Sequence, residues 1–358
     1  FGMHTMTVMG RARYRKLWSR KYPHSIGLFY SAVTGAVGLR PMDEEYILMG
    51  MAGWGKRNEH LHCHIKEFWA DRQNIKLSQN LHLGIEPQFF APFAKEDVAY
   101  SAQHVVTKVL DHLFARAKKY NFLSQNLVYM GGVALNCSYN SNLKKHFNNV
   151  WIMPNPGDCG SSLGAAALRY GKKVNWQHPY LGENISGAYP VKNTVKHLLK
   201  HKIVGVANGR AEFGPRALGN RSLLADPRGP EIKDAVNEIK RRQKFRPFAP
   251  VILEEHAARF FEMPYETSPY MQYTAKCNYP EVYPAIVHVD GTSRVQTVSK
   301  DCGSGIRQLL EHWYDQTGCP MLLNTSLNIR GMPMVNTVRD ALAFEHEYDV
   351  KVYTKEDQ

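Results

Sequence analysis

Ile306-Arg307-Gln308-Leu309-Leu310-Glu311-His312-Trp313-Tyr314-Asp315-Gln316-Thr317-Gly318-Cys319-Pro320-Met321-Leu322-Leu323 reads as a helix, a stop and a strand in one run. Ile306, Leu309, Leu310 and Trp313 recur at helical spacing, so a helix is expected over residues 306–314. Gly318 is the residue type that ends a helix. The unbroken apolar run 321–323 then suits a strand buried on both faces. The same alternation recurs upstream. Asp97 is expected to cap a helix reaching Tyr120, with Ala102, Val105, Val109, Leu113 and Ala117 on one face. A strand follows at 127–130, another at 151–153, a small-residue helix at 161–170 and a strand at 204–207. Thr337 and Asp340 form a capping box that opens the last helix. Strands alternating with helices indicate an α/β protein. A polar stretch near 182–193 is taken as the boundary between domains 1–187 and 188–358.

Composition supports a globular chain. Its 358 residues are 44% hydrophobic and 22% charged, enough at ~100–200 residues per domain for about two cores. No apolar run approaches the roughly 18 residues of a membrane span, and the opening residues are not expected to be a signal peptide. Phe1 at the start reads as a chain missing its beginning. Six cysteines without a CxxC pair argue for a reducing, cytoplasmic setting and against a disulfide scaffold. His62-Cys63-His64 is a poor metal motif, because neighbouring side chains point in different directions.

Charge is less ordinary. The chain carries 45 Lys and Arg against 32 Asp and Glu, a net +13, with a pI near 9.3. The excess favours anionic substrates or a polyanionic partner, although a basic surface also serves solubility. It is clustered. No acid precedes Asp43, and Arg11, Arg13, Arg15, Lys16, Arg20 and Lys21 crowd around Tyr14 and Trp18. Cations interleaved with aromatics suit a nucleic-acid backbone with stackable bases.

Several polar clusters carry candidate chemistry. Gly131-Gly132-Val133-Ala134-Leu135-Asn136 follows a strand, and glycines there let backbone N–H groups approach a nucleotide. Gly157-Asp158-Cys159-Gly160-Ser161-Ser162-Leu163-Gly164 places an acid in a turn before a helix, where it could ligate a metal. Arg210, Arg216 and Arg221 lie in one Gly- and Pro-punctuated loop, and guanidinium forks grip phosphate bidentately. Lys240 and Arg246 add cations. The stretch His288-Val289-Asp290-Gly291-Thr292-Ser293-Arg294 and the run Asn324-Thr325-Ser326-Leu327-Asn328 supply further polar groups. Together they point to an anionic ligand.

Taken in order, these strings resemble the NodU/CmcH family of O-carbamoyltransferases. The matching strings are YPHSIGLFYS from Tyr22, LMGMA from Leu48, GGVALN from Gly131, GDCGSSLGAA from Gly157, EFGPRALGNRS from Glu212, FRPFAP from Phe245, HVDGTSRVQTV from His288 and LLNTSLN from Leu322. The resemblance implies an ASKHA-type lobe, similar to that of enzymes making threonylcarbamoyladenosine in tRNA, followed by a YrdC-like α/β domain. It also implies the reaction: carbamoyl phosphate and ATP, with Mg, form carbamoyl-adenylate, and a lobe holding a divalent metal (iron in the family) passes the carbamoyl group to an acceptor hydroxyl. By the same match Arg216, Lys240, Arg246, Ser326 and His288 are expected to be catalytic. Gly131, Gly132, Asn136, Gly164, Arg294 and Asn328 are expected to bind the nucleotide and carbamoyl phosphate, and Asp158 to bind the metal.

There are two departures. The family's iron-binding histidine pair would precede Phe1. Ile47 stands where the family usually has a lysine. The acceptor is read two ways: a hydroxymethylated pyrimidine in DNA, suggested by the basic charge, or a sugar, antibiotic or nodulation-factor hydroxyl. A DNA base would have to be flipped out or single-stranded. A non-catalytic nucleotide-binding fragment and a tRNA threonylcarbamoylation enzyme are the competing classes. A membrane role is not expected, and an oligomer is open.

Overall fold

The computed structural model describes residues 4–9, 14–120 and 124–356. Two compact units divide the chain, 1–151 and 152–358. The first begins with an antiparallel pair, β1 (His4–Met9) and β2 (Tyr14–Arg20). Helices α1 (Ile26–Ala36), α2 (Glu45–Met51) and α3 (Glu59–Lys66) precede a small hairpin of β3 (Trp69–Asp71) and β4 (Lys76–Leu77). All three helices pack on the long α4 (Lys95–Tyr120). Val98, Ala102, Val105 and Val109 of α4 are buried, as are Phe29, Leu48 and Ile65 of the helices against it. The helix starts ahead of Asp97, whose carboxylate accepts the Lys56 N–H at 2.7 Å instead of capping α4. Ile47 is a core residue of α2, 1% exposed. A parallel pair, β5 (Asn126–Val128) and β6 (Asn149–Trp151), flanks the short helix α5 (Cys137–Asn140). Both strands lie slightly upstream of their expected positions.

The second unit opens with α6 (Ser161–Tyr170), at the expected bounds. The expected linker 182–193 is structured. It holds the end of β7 (Tyr180–Ile185), paired with β9 (Gly209–Glu212), and the start of α7 (Val191–His201). Around these lie β8 (Ile203–Ala207), β10 (Arg221–Ala225), α8 (Glu231–Ile239), β11 (Ala249–Leu253), α9 (Ala257–Phe260) and β12 (Phe261–Glu262). The chain continues through β13 (Tyr273–Cys277), β14 (Thr292–Val298), α10 (Ile306–Thr317), β15 (Met321–Ser326), α11 (Val338–Tyr348) and β16 (Val352–Tyr353).

Eight of these strands form one mixed sheet, in the order β12-β13-β14-β11-β15-β10-β8-β16. Only β11/β14 and β8/β16 are parallel. Apolar residues on one face meet α7 and α10 through Val195, Leu198, Leu309, Leu310 and Trp313. The other face meets α8, α9 and α11 through Val236, Phe260 and Phe344. The unit is thus a helix–sheet–helix α/β sandwich, in which strands buried on both faces read as continuous apolar runs. Trp313 is fully buried, and its indole N–H donates to Met321 O at 3.1 Å. Gly318 ends α10 in the left-handed region. Among the described residues no helix is long and apolar enough to cross a membrane.

The capping box is formed. Asp340 N donates to Thr337 Oγ1 at 3.2 Å, and Thr337 N donates to Asp340 Oδ2 at 2.8 Å. Thr337→Ala is expected to cost about 1 kcal/mol, seen as a small fall in the denaturant midpoint at constant m.

Candidate active site

Residues 213–220, between β9 and β10, have no regular secondary structure, yet buried side chains hold their main chain. Asn324 of β15 donates through Nδ2 to Ala217 O at 3.0 Å. Gln296 Nε2 and the Tyr180 hydroxyl both donate to Leu218 O at 3.1 Å, and the Tyr189 hydroxyl donates to Gly219 O at 2.7 Å. Glu212 Oε1 accepts from the N–H groups of Leu218, Asn220 and Arg221 at 2.7, 2.9 and 3.2 Å. Gly219 has φ +125, and a Cβ there would come within 2.7 Å of Ile306. The turn therefore requires glycine. Arg216, half-buried, sits on this clamped segment.

Strand register shows where the loop lies. Asn324 pairs with Ala249 and Gln296 with Val251, so both amides lie on one face with only small Ala249 between their levels. Asn324 Nδ2 crosses that gap to Gln296 Oε1 at 2.7 Å. Two residues along the same face of β15 is Ser326, where the cations gather. Lys240, the C-terminal cap of α8, is 3% exposed. Its Nζ lies 3.2 Å from Ser326 Oγ, 2.7 Å from Asn328 O and 3.0 Å from Asn328 Oδ1, and also meets Ser326 O at 2.5 Å. Ser326 Oγ donates to Asn328 Oδ1 at 2.6 Å. Burial, reinforced by Arg242 and Arg246, holds the Lys240 ammonium well below the ordinary lysine range. Three cations on one short segment in low dielectric repel one another, and a bound anion relieves that repulsion.

The expected residues thus divide. Lys240, Ser326 and Asn328 are in direct contact, Arg246 acts on Lys240 electrostatically, and Arg216 is carried by a loop tied to the same strand. Arg294 is on β14 opposite Thr274, on the Gln296 face; its Nε is buried with no hydrogen-bond partner among the described residues. Asn324 Oδ1 is in the same condition. Unsatisfied buried polar atoms are expected of a ligand or water site. His288 is buried in the turn that leads into β14, its N–H donating to Thr292 O at 2.8 Å.

In the first unit, Gly131 has φ +100, and a Cβ on Gly131 or on Gly132 would meet nothing within 4 Å. The fold itself therefore does not demand glycine at 132. Asn136 is occupied: its Oδ1 caps α5 through Tyr139 N at 3.0 Å, and its amide pairs with that of Gln103. Gly164 lies in α6, which buries none of its residues. Asp158 is exposed at the start of a single 3-10 turn. Among the described residues no three His, Cys, Asp or Glu side chains gather as a metal site. A lone exposed carboxylate does not fit the expected iron centre, and no step below passes through a metal.

Other readings change with the geometry. Arg221 is wholly buried, with every guanidinium nitrogen donating to main-chain carbonyls, and Arg210 reaches Gly182 O at 3.1 Å. Of the three loop arginines, these two serve structure. Arg11 and Arg13 lie outside the described residues. Trp18 is covered by the guanidinium groups of Arg20 and Arg116, 5.8 and 5.6 Å from its ring, so it is not an open stacking platform. Gln296, Asn324 and Glu212, which the motif strings contain without an assigned role, belong to the site, as do Tyr180 and Tyr189, which lie outside every motif. The i, i+2 polar spacing of Arg294 with Gln296, and of Asn324 with Ser326, was the available signal for two of them.

Two family models match in tandem: the carbamoyltransferase N-terminus over residues 2–167 and the carbamoyltransferase C-terminus over 195–357. The chain belongs to the carbamoyltransferase family. Nodulation protein NolO of Bradyrhizobium diazoefficiens is 32% identical over 89% of this chain and 66% of its own length. Nodulation protein U of Sinorhizobium fredii is 35% identical over 73% of this chain and 51% of its own. An uncharacterised protein of Methanocaldococcus jannaschii is 30% identical over 89% of this chain and 68% of its own. The chain thus spans between about half and two thirds of the length of these relatives.

Proposed function

We propose that this chain is the nucleotide-activating part of an O-carbamoyltransferase, with its first chemical step at the end of β15. Carbamoyl phosphate, ATP and water give carbamoyl-adenylate with release of phosphate and pyrophosphate. An acceptor hydroxyl then attacks the carbamoyl carbon, and AMP leaves with its electrons. Carbamate is a poor electrophile until joined to a good leaving group, and cations offset the charge that builds on the phosphates. The observation that carries this reading is the buried Lys240 ammonium, seated on Ser326 and Asn328 and crowded by Arg242 and Arg246. Arg216 is the partner cation on the clamped loop, and the orphan Arg294 Nε is a further donor. Open space at Gly131 and Gly132 supports nucleotide approach in the first unit. Mg accompanies ATP.

For the acceptor, a small hydroxylated molecule is the better supported class. The basic stretch that favoured DNA has its one described tryptophan ring covered by arginines of the same unit. The test is mass spectrometry of products from carbamoyl phosphate and ATP with two acceptor pools, hydroxylated sugars and hydroxymethylcytosine DNA. Pyrophosphate release with a carbamoyl mass gain on a sugar supports the full reading. A gain on the nucleoside reverses the acceptor assignment. No pyrophosphate and no adenylate would remove the activation chemistry from this chain.

A further inference from the structure

We propose that Glu212 is a positioning residue, whose ionised carboxylate holds the Arg216 loop in the geometry that receives an anion. The inference rests on the reading that this loop contacts the phosphate groups, and it adds a residue that no motif role assigns.

Glu212 lies at the end of β9, 8% exposed, and its hydrogen bonds run to main-chain N–H groups of the loop. One oxygen takes three main-chain N–H groups, from Leu218, Asn220 and Arg221. Its other oxygen, Oε2, is buried and finds no partner among the described residues. Carrying a buried carboxylate to hold one turn is costly, and a neutral side chain would hold it at lower cost. What the charge adds is strength: N–H bonds to an anion are short and about twice as strong as neutral ones. The carbonyls of the same turn are tied by Asn324, Gln296, Tyr180 and Tyr189. Removing the carboxylate therefore frees one side of a turn whose other side stays fixed, and Arg216 loses its aim.

Burial raises the Glu212 carboxyl, opposed by the three N–H bonds. Arg221, Tyr180 and Tyr189 face it electrostatically. None of these changes charge between neutral and mildly acid pH. The His178 imidazole, whose ring lies 5.7 Å from that of Tyr180, is given its own control.

The experiment measures sulfate affinity of the whole chain by calorimetry from neutral to mildly acid pH. Sulfate keeps both charges throughout, so the protein alone titrates. Wild type is expected to lose affinity as Glu212 protonates. Glu212→Gln, which keeps an oxygen for the three N–H groups, should bind about tenfold more weakly at neutral pH and lose the acid limb. Glu212→Ala should be weaker still, His178→Gln should keep the limb, and melting curves report folding separately. A merely structural Glu212 would change melting without removing the limb. Wild-type affinity with an intact acid limb in Glu212→Gln overturns the proposal. No sulfate binding by wild type overturns it too, together with the loop as an anion site. If sulfate behaves as expected but no adenylate forms from ATP and carbamoyl phosphate, the positioning role stands and the activation chemistry falls.

Discussion

Lys240→Met is expected to lower the rate of pyrophosphate release from ATP and carbamoyl phosphate by about 10²–10³-fold, the range for removing one preorganised electrostatic partner. Methionine keeps much of the stem's length and packing while deleting the ammonium. The cost to folding is separate and smaller. Ser326 O and Asn328 O lose their Nζ donor, whereas Asn328 Oδ1 keeps the Ser326 hydroxyl. Ser326 O keeps the Asn328 N–H at 3.0 Å, and the Asn328 carbonyl left without Nζ costs roughly 1–3 kcal/mol, so activity is compared below the variant's melting range, with secondary structure checked by circular dichroism. A folded Lys240→Met that still releases pyrophosphate within tenfold of wild type would make Lys240 a structural cation and nothing more.

The same residue gives a pH signature. Its pKa in the folded chain lies below the ordinary lysine value because of burial first, then Arg242 and Arg246. Between the two values the unfolded chain holds the proton and the folded chain does not, so this group's contribution makes stability rise with pH across that window. An anion seated beside Nζ raises the pKa again. Binding in the window therefore takes up a proton, and affinity falls as pH rises. Calorimetry of sulfate binding in two buffers of different ionisation enthalpy should show the uptake in wild type and none in Lys240→Met.

Much of the α/β architecture was legible because helices and buried strands repeat at different periods. The run from Ile306 to Leu323 contains a helix, its glycine stop and a strand, all found where expected, with the helix extending to Thr317. The strand runs three residues beyond its apolar run. Met321–Ser326 continues through Asn324, Thr325 and Ser326, and an apolar-run criterion stops where those polar side chains begin. They are polar because that end of β15 lines the site, so the functional residues erased the signal for their own strand. Thr292–Val298 was noticed as a polar string for the same reason. Glu212, Tyr180 and Tyr189 were invisible in another way. They meet the 216–221 turn through strand pairing and tertiary packing, which no local pattern records. Lys240 and Ser326, 86 positions apart, stand out in sequence as a cation in a basic run and a hydroxyl in a polar one, and only the fold supplies the contact.

Arginine is where sequence is least able to assign roles, and Arg221→Met is the substitution expected to expose this. In sequence, Arg210, Arg216 and Arg221 look like three equivalent anion ligands in one loop. In the structure Arg221 has no accessible surface. Its Nε donates to Asn336 O, Nη1 to the carbonyls of Asn208, Gly209 and Asn220, and Nη2 to Glu183 O and Asn336 O. The guanidinium therefore joins β7, β9, β10 and the segment before α11, and its charge offsets that of nearby Glu212. Methionine in its place leaves five carbonyls without this donor and a buried carboxylate without its countercharge. The expected cost is about 3–5 kcal/mol, as for other broken buried charge networks. In a unit of this size that lowers Tm by roughly 10 °C. Arg216→Ala should do the reverse, leaving Tm within about 2 °C, as for surface changes, while removing sulfate binding. Thermal melts and calorimetry on the two variants decide the matter. If Arg221→Met melts like wild type but loses the anion, the buried guanidinium is a ligand after all, and the division between framework and site within this loop must be redrawn.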